Sequence, residues 1–156
     1  MSSLPQFSGR SSGGRLVLYA KDIVELDFIT LAGETTALDA ARLMAEKKHG
    51  FAIVSLNGKM SGMVTEWDYL SKVVANDRSP ANVLLRDIMS NNLVTVQANE
   101  GIDSVSKLMA EKGIRRVVVM DKEKVLGVIT SKTILKRLEE YVNRVSTQVA
   151  RLQSPL

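Results

Sequence analysis

Cysteine is absent from the 156 residues, and histidine occurs once, as His49. The first absence excludes a disulfide scaffold, an iron–sulfur cluster, a cysteine-ligated zinc site and a cysteine nucleophile. The second leaves no multi-histidine metal site and no Ser-His-Asp triad with a histidine to spare. Aromatic residues are only 4% of the chain, and no paired strand aromatics offer a platform for stacking bases. The longest apolar run is the five residues from Leu16 to Ala20, well short of the ~20 needed to cross a bilayer. Nothing near the start joins a charged segment to an apolar core as a secretory leader does, so a cytoplasmic protein with no membrane partner is expected. No nucleophile–base pair or metal cluster can be assembled from this composition, so no catalysis is expected.

What is present is ordinary for a soluble globular protein: 45% apolar and 24% charged residues. The length suits one domain, or two small units sharing a core. Net charge is +4. Residues 1–78 balance, with nine basic and nine acidic side chains, so the excess lies wholly in residues 79–156. That bias suits an anionic partner, and it equally suits a merely soluble surface.

An internal repeat organises the chain. A shift of 65 positions aligns two blocks without a gap, with 13 identities over the 53 positions 21–73 and 86–138. Lys21-Asp22-Ile23 meets Arg86-Asp87-Ile88, Leu43 to Lys47 meets Leu108 to Lys112, and Gly62-Met63-Val64-Thr65 meets Gly127-Val128-Ile129-Thr130. Each block reads as β-α-β-β-α. In the first, an extended run Phe28 to Leu31 precedes a helix capped by Thr35 or Thr36, whose apolar positions are Ala37, Ala40, Ala41 and Met44. A strand Phe51 to Leu56, an Asn57-Gly58 hairpin turn and a returning strand Lys59 to Thr65 follow. A second helix begins beyond Thr65, with Trp67, Leu70, Val73 and Val74 as its apolar positions. In the second block, Ile102, Val105, Leu108 and Met109 mark a helix stopped by Gly113. The run Val117 to Met120 is apolar on both faces, so a central strand is expected there.

Ser79-Pro80 reads as an N-cap with proline at the first helical position, opening a short link. The last helix is expected from Ser131 to about Leu152, roughly 30 Å long. Its stripe of Ile134, Leu138, Tyr141, Val145, Val149 and Leu152 needs a cover, either the N-terminal segment or another subunit. Residues 1–15 are read as a flexible tail, since 1–14 hold eight Ser or Gly. Leu16 to Tyr19 form a strand or docking segment. The expected organisation is thus 1–15 tail, 16–78 first repeat, 79–140 second repeat and 141–156 a helical extension.

Two gapless β-α-β-β-α blocks, each ending in Gly-apolar-apolar-Thr at a strand-to-helix junction, resemble a tandem pair of CBS domains, or Bateman module. The resemblance rests on Asp22-Ile23-Val24 and Asp87-Ile88-Met89, on Ile29-Thr30-Leu31 and Val94-Thr95-Val96, and on Gly62 to Asp68 with Gly127 to Thr133; it covers about residues 17–140. It implies a mixed α/β fold of two repeats about a pseudo-two-fold axis, with related clefts between them. It also implies a regulatory module, with no cofactor of its own, that binds an adenosine-containing ligand (AMP, ADP, ATP or S-adenosylmethionine) and pairs through its helices as a homodimer.

Carried over by position, the resemblance assigns the ribose to Asp68 and a phosphate to Thr65. The same Thr-x-x-Asp spacing is also that of a capping box, which satisfies the helix's own amides. In the second block Thr133 stands where Asp68 would be, so a ribose is expected to bind about ten-fold more weakly there. Thr130 and Lys132 remain as phosphate contacts. Arg115 and Arg116 precede the valine strand, where arginine's planar fork suits phosphate; Gly50 and Phe51 occupy those positions in the first block. Thr30 and Thr95, with Ile29 and Val94, are candidates for the adenine wall. His49 reads as a helix-end or surface residue, the methionines as core, and Lys47-Lys48 as a solvated helix end. The competing readings are a ligand-free protein adaptor working through the last helix and a nucleic-acid binder using the basic second half.

Overall fold

Consecutive buried residues at 51–54 and 117–119, and one buried stripe on each of the helices 37–47 and 102–112, build the core of each half of the chain. The computed structural model describes residues 18–153. The expected tail, together with Leu16, Val17 and residues 154–156, lies outside them. The elements in order are α1 (Ala20–Ile23), β1 (Thr30–Ala32), α2 (Ala37–Lys47), β2 (Phe51–Leu56), β3 (Lys59–Thr65), α3 (Glu66–Asp68), α4 (Leu85–Ile88), β4 (Thr95–Gln97), α5 (Ile102–Lys112), β5 (Arg116–Asp121), β6 (Lys124–Thr130) and α6 (Ser131–Gln153). The fold is mixed α/β, with two three-stranded sheets ordered β1-β2-β3 and β4-β5-β6. In each sheet the first pair is parallel and the second antiparallel.

The chain divides into two compact units. In the unit Asp27–Val94, Thr36 caps α2 by accepting from the Asp39 amide at 3.1 Å. Ala37, Ala40 and Met44 of α2 then bury against Ala52, Val54 and Val64 of the sheet, with Val73, Val83, Leu85 and Ile88 completing the core. Asn57 and Gly58 both take positive φ, 51° and 75°, as a two-residue hairpin turn demands. The other unit has the same plan. β5 is central, and Val117, Val118 and Val119 are fully buried. Both sheets shift register at the same repeat position, between Val54 and Ser55 and between Val119 and Met120.

The helix ends show one difference between the repeats. Gly113 closes α5 in the left-handed conformation, φ 60°, and Lys48 closes α2 in the same conformation, φ 56°. The side chain makes the second case costlier.

The compact units do not follow the repeat limits. α1 belongs with residues 95–153, and α4 belongs with the first repeat's sheet. The backbone bonds say why. Ala20 N donates to Glu100 O at 2.8 Å and Lys21 N to Ala98 O at 2.9 Å, while Ile102 N donates to Leu18 O at 2.9 Å. At the matching places, Leu85 N donates to Thr35 O and Arg86 N to Gly33 O. Each unit therefore takes its short entry helix from the other repeat, and Leu18-Tyr19 does dock. The link at Ser79 is a single 3-10 turn, Pro80–Asn82.

One helical expectation needs correction. Beyond Thr65 the chain is not one regular helix, because α3 passes into a π turn, Tyr69–Val73, and a 3-10 turn, Val74–Asn76. This winding turns Tyr69 and Val73 toward the core and leaves Trp67, Leu70 and Val74 exposed. α6 is one unbroken helix of 23 residues, Ser131–Gln153, as its apolar stripe led one to expect. Its stripe of Leu138, Tyr141, Val145, Val149 and Leu152 is exposed. No helix among the described residues is long and apolar enough to cross a membrane.

Candidate functional site

Each unit makes one strand-to-helix corner. In the unit Asp27–Val94 the corner lies where β3 passes into α3. Thr65 is extended, φ −127° and ψ 167°, and its backbone N–H and hydroxyl both donate to Asp68 Oδ2, at 2.8 and 3.1 Å. Lys72 Nζ donates to Asp68 Oδ1 at 2.7 Å and to the Ile88 carbonyl at 2.7 Å. Asp68 is 5% exposed, and both of its oxygens are engaged. The carboxylate of Asp68 thus satisfies the amide at the helix start, and the ammonium of Lys72 balances the buried charge. Next to it, Tyr69 Oη donates to the Ala37 carbonyl at 2.7 Å, and burial pushes the phenol up to about 12.

The corner of the other unit joins β6 to α6. Thr133 is 6% exposed; its backbone N–H donates to Thr130 Oγ1 at 3.1 Å, and the two hydroxyls lie 2.9 Å apart. Thr133 Oγ1 donates in turn to Glu25 Oε1. A hydroxyl has one proton, so Thr130 is the donor between the two threonines. The chain of donation runs Thr130 to Thr133 to the Glu25 carboxylate.

The glycines of the two Gly-apolar-apolar-Thr motifs have a steric reason. A Cβ on Gly62 would stand 2.7 Å from the Ser90 carbonyl, and one on Gly127 would run into the Glu25 carbonyl. Beside them Met63 and Ser90 exchange two backbone bonds, at 3.0 and 2.8 Å, and Val128 and Glu25 do the same, at 3.0 and 2.9 Å. Bare backbone at Gly127 thus brings Glu25 to Thr133.

The remaining sequence candidates fall as follows. Thr30 stands in register with Ile53, Ile53 with Met63, and Phe51 with Thr65. Thr30 and Thr65 therefore share the sheet face opposite Ala52, Val54 and Val64. Thr95 stands in register with Val118, Val118 with Val128, and Arg116 with Thr130, so Thr95, Arg116 and Thr130 likewise share a face. Arg115 is exposed, and its carbonyl accepts from Ser131 N at 3.0 Å; Lys132 is exposed on the first turn of α6. Ile29 is buried in the core, and its carbonyl accepts from Ile53 N at 2.8 Å. His49 is half-buried, edge-on to Phe51, with Nε2 3.4 Å from Asp27 Oδ2.

Sequence reasoning passed over Lys72 and Glu25. Lys72 had a local signal, a cation four residues after a helical carboxylate. Glu25 had none, because it meets Thr133 across 108 residues of chain.

Comparison with known proteins agrees with this architecture. The CBS domain model matches residues 20–75 and 85–140. Homoserine O-acetyltransferase of Methanohalobium evestigatum is 34% identical over 125 residues, which are 79% of this chain but only 24% of that enzyme. A hexameric CBS-CP12 protein from bloom-forming cyanobacteria is 35% identical, with a TM-score of 0.70, over 76% of this chain and 70% of that one. The CBS domain pair of protein MJ0100, solved in complex with 5′-methylthioadenosine and S-adenosyl-L-methionine, is 25% identical with a TM-score of 0.71 over 81% of this chain and 99% of that one. With two matched repeats, two equivalent corners and this architecture, the chain belongs to the CBS domain family and carries a tandem pair of its domains.

Proposed function

We propose that this CBS pair is a non-catalytic sensor that binds an adenosine-containing ligand, AMP, ADP, ATP or S-adenosylmethionine, at its strand-to-helix corners. The supporting observation is the duplicated corner itself: a threonine hydroxyl at the end of a strand, a helix start, and a carboxylate beside it in both units. The MJ0100 pair, of the same architecture, is described with two adenosine compounds bound. The proposed contacts are Thr65 and Asp68 in one unit and Thr130, Lys132, Arg115 and Arg116 in the other. Thr30 and Thr95 stand on the corner-bearing sheet faces. A ribose at Asp68 competes with Lys72 for Oδ1. Binding then shifts a conformational equilibrium by the ligand's differential affinity for the two states.

The test is titration of the purified protein with AMP, ADP, ATP, 5′-methylthioadenosine and S-adenosylmethionine. Calorimetry supplies the affinity, and Trp67, the only tryptophan, reports as a fluorophore 68% exposed and two residues from Thr65. Saturable binding of at least one compound is expected. Silence from all five, with no nucleoside released from the protein on denaturation, rejects the reading.

Self-association through α6, as a homodimer, is the second part of the reading. The exposed stripe from Leu138 to Leu152 supports it, since an apolar face of that length in water favours a partner. The cyanobacterial relative is described as a hexamer.

A further inference from the structure

We infer that Glu25 is the carboxylate with which the β6–α6 corner reads the vicinal hydroxyls of a ribose. The assignment rests on the adenosine reading above and adds to it a specificity residue outside the repeat motif. The sequence comparison alone leaves this corner without an acid, because Thr133 replaces aspartate. The fold supplies one from a segment 108 residues away.

The two corner carboxylates differ in what they have left to offer. Asp68 accepts from Thr65 N, Thr65 Oγ1 and Lys72 Nζ, and it is 5% exposed. A diol reaching it must displace an ammonium from a buried site. Among the described residues Glu25 accepts a side-chain bond only from Thr133 and only at Oε1, and the residue is exposed. Its Oε2 accepts from no other described side chain, and a carboxylate has about four lone-pair sites. Thr130 Oγ1 lies one hydrogen bond further along the same chain. An open carboxylate oxygen next to an ordered pair of hydroxyls can accept from both hydroxyls of a ribose without breaking a bond that the unliganded protein makes.

The position is also held firmly. The Glu25 backbone exchanges two bonds with Val128, and the absence of a Cβ at Gly127 permits that approach. Arg116 stands in register with Thr130, so a cation belongs to the same face for a ligand that carries phosphate.

The experiment compares wild type, Glu25→Gln and Asp68→Asn with two probes, AMP and 2′,3′-dideoxy-AMP, in calorimetric titrations. The amide of Glu25→Gln still accepts from Thr133, so the unliganded thermal midpoint should stay within about two degrees of wild type. Loss of a charged acceptor should weaken AMP about ten-fold or more. The dideoxy probe, which lacks the diol, should lose less than two-fold. Equal losses for both probes, or no loss of AMP affinity, overturn the assignment while leaving the adenosine reading intact. Failure of AMP and of the four other adenosine compounds to bind wild type rejects the reading itself, and the assignment with it.

Discussion

Tyr69 is the residue where burial and hydrogen bonding meet. Its hydroxyl holds the Ala37 carbonyl, and its folded pKa is pushed up to about 12 against an ordinary 10. The folded state therefore keeps a proton that the unfolded chain releases between those values. The contribution is complete below pH 10 and is lost as pH rises through 12. Tyr69→Phe should cost about 1 kcal/mol at pH 7. It should also flatten the fall in stability between pH 10 and 12, read as the difference between variant and wild type in urea melts. Equal slopes for the two proteins would show that the phenol is not linked to folding. The same scale separates what was legible at the site. Thr65 and Asp68 were legible because the motif is local, and so was their capping role. Lys72 closes Asp68 off through an i, i+4 pair that the sequence also displays. Glu25 was not legible, since nothing local in residues 20–27 marks a partner at residue 133.

At the scale of elements, periodicity and turn chemistry located the strands, α2, α5 and the Asn57-Gly58 hairpin, because each depends on neighbours within about ten residues. Beyond Thr65 helical winding follows as expected, but not as one regular helix. There the apolar positions Trp67, Leu70 and Val74 fit a helical face, but the π turn at Tyr69–Val73 sends that face to solvent. The tie of Lys72 to the Ile88 carbonyl spans sixteen residues, so it is a tertiary fact that no local period displays. The helix C-termini give a direct test. Gly113 and Lys48 take the same left-handed conformation, so Lys48→Gly should stabilise the protein by about 1 kcal/mol. The measurement is the shift in denaturation midpoint at constant m-value; a destabilised variant would show that the Lys48 side chain does more than tolerate its backbone.

For the whole molecule the exposed face of α6 is the feature that bears on assembly. At about 34 Å, 23 residues present a stripe with Leu138, Tyr141 and Val145 at its centre. Tyr141→Asp with Val145→Asp should lower the mass in solution to that of a monomer, measured by light scattering on a sizing column. The thermal midpoint of each unit's core should change little, because both side chains are exposed. An unchanged mass would place any association elsewhere.

By itself the sequence determined the repeat, the order β-α-β-β-α, the buried central strand and the identity of the corners. These follow from hydrophobic period, capping and turn residues, which act over a few positions of chain. Only the tertiary structure decided which short helix serves which unit and which carboxylate reaches which threonine. Those outcomes depend on backbone approaching backbone at Gly62 and Gly127, across separations that no local pattern encodes.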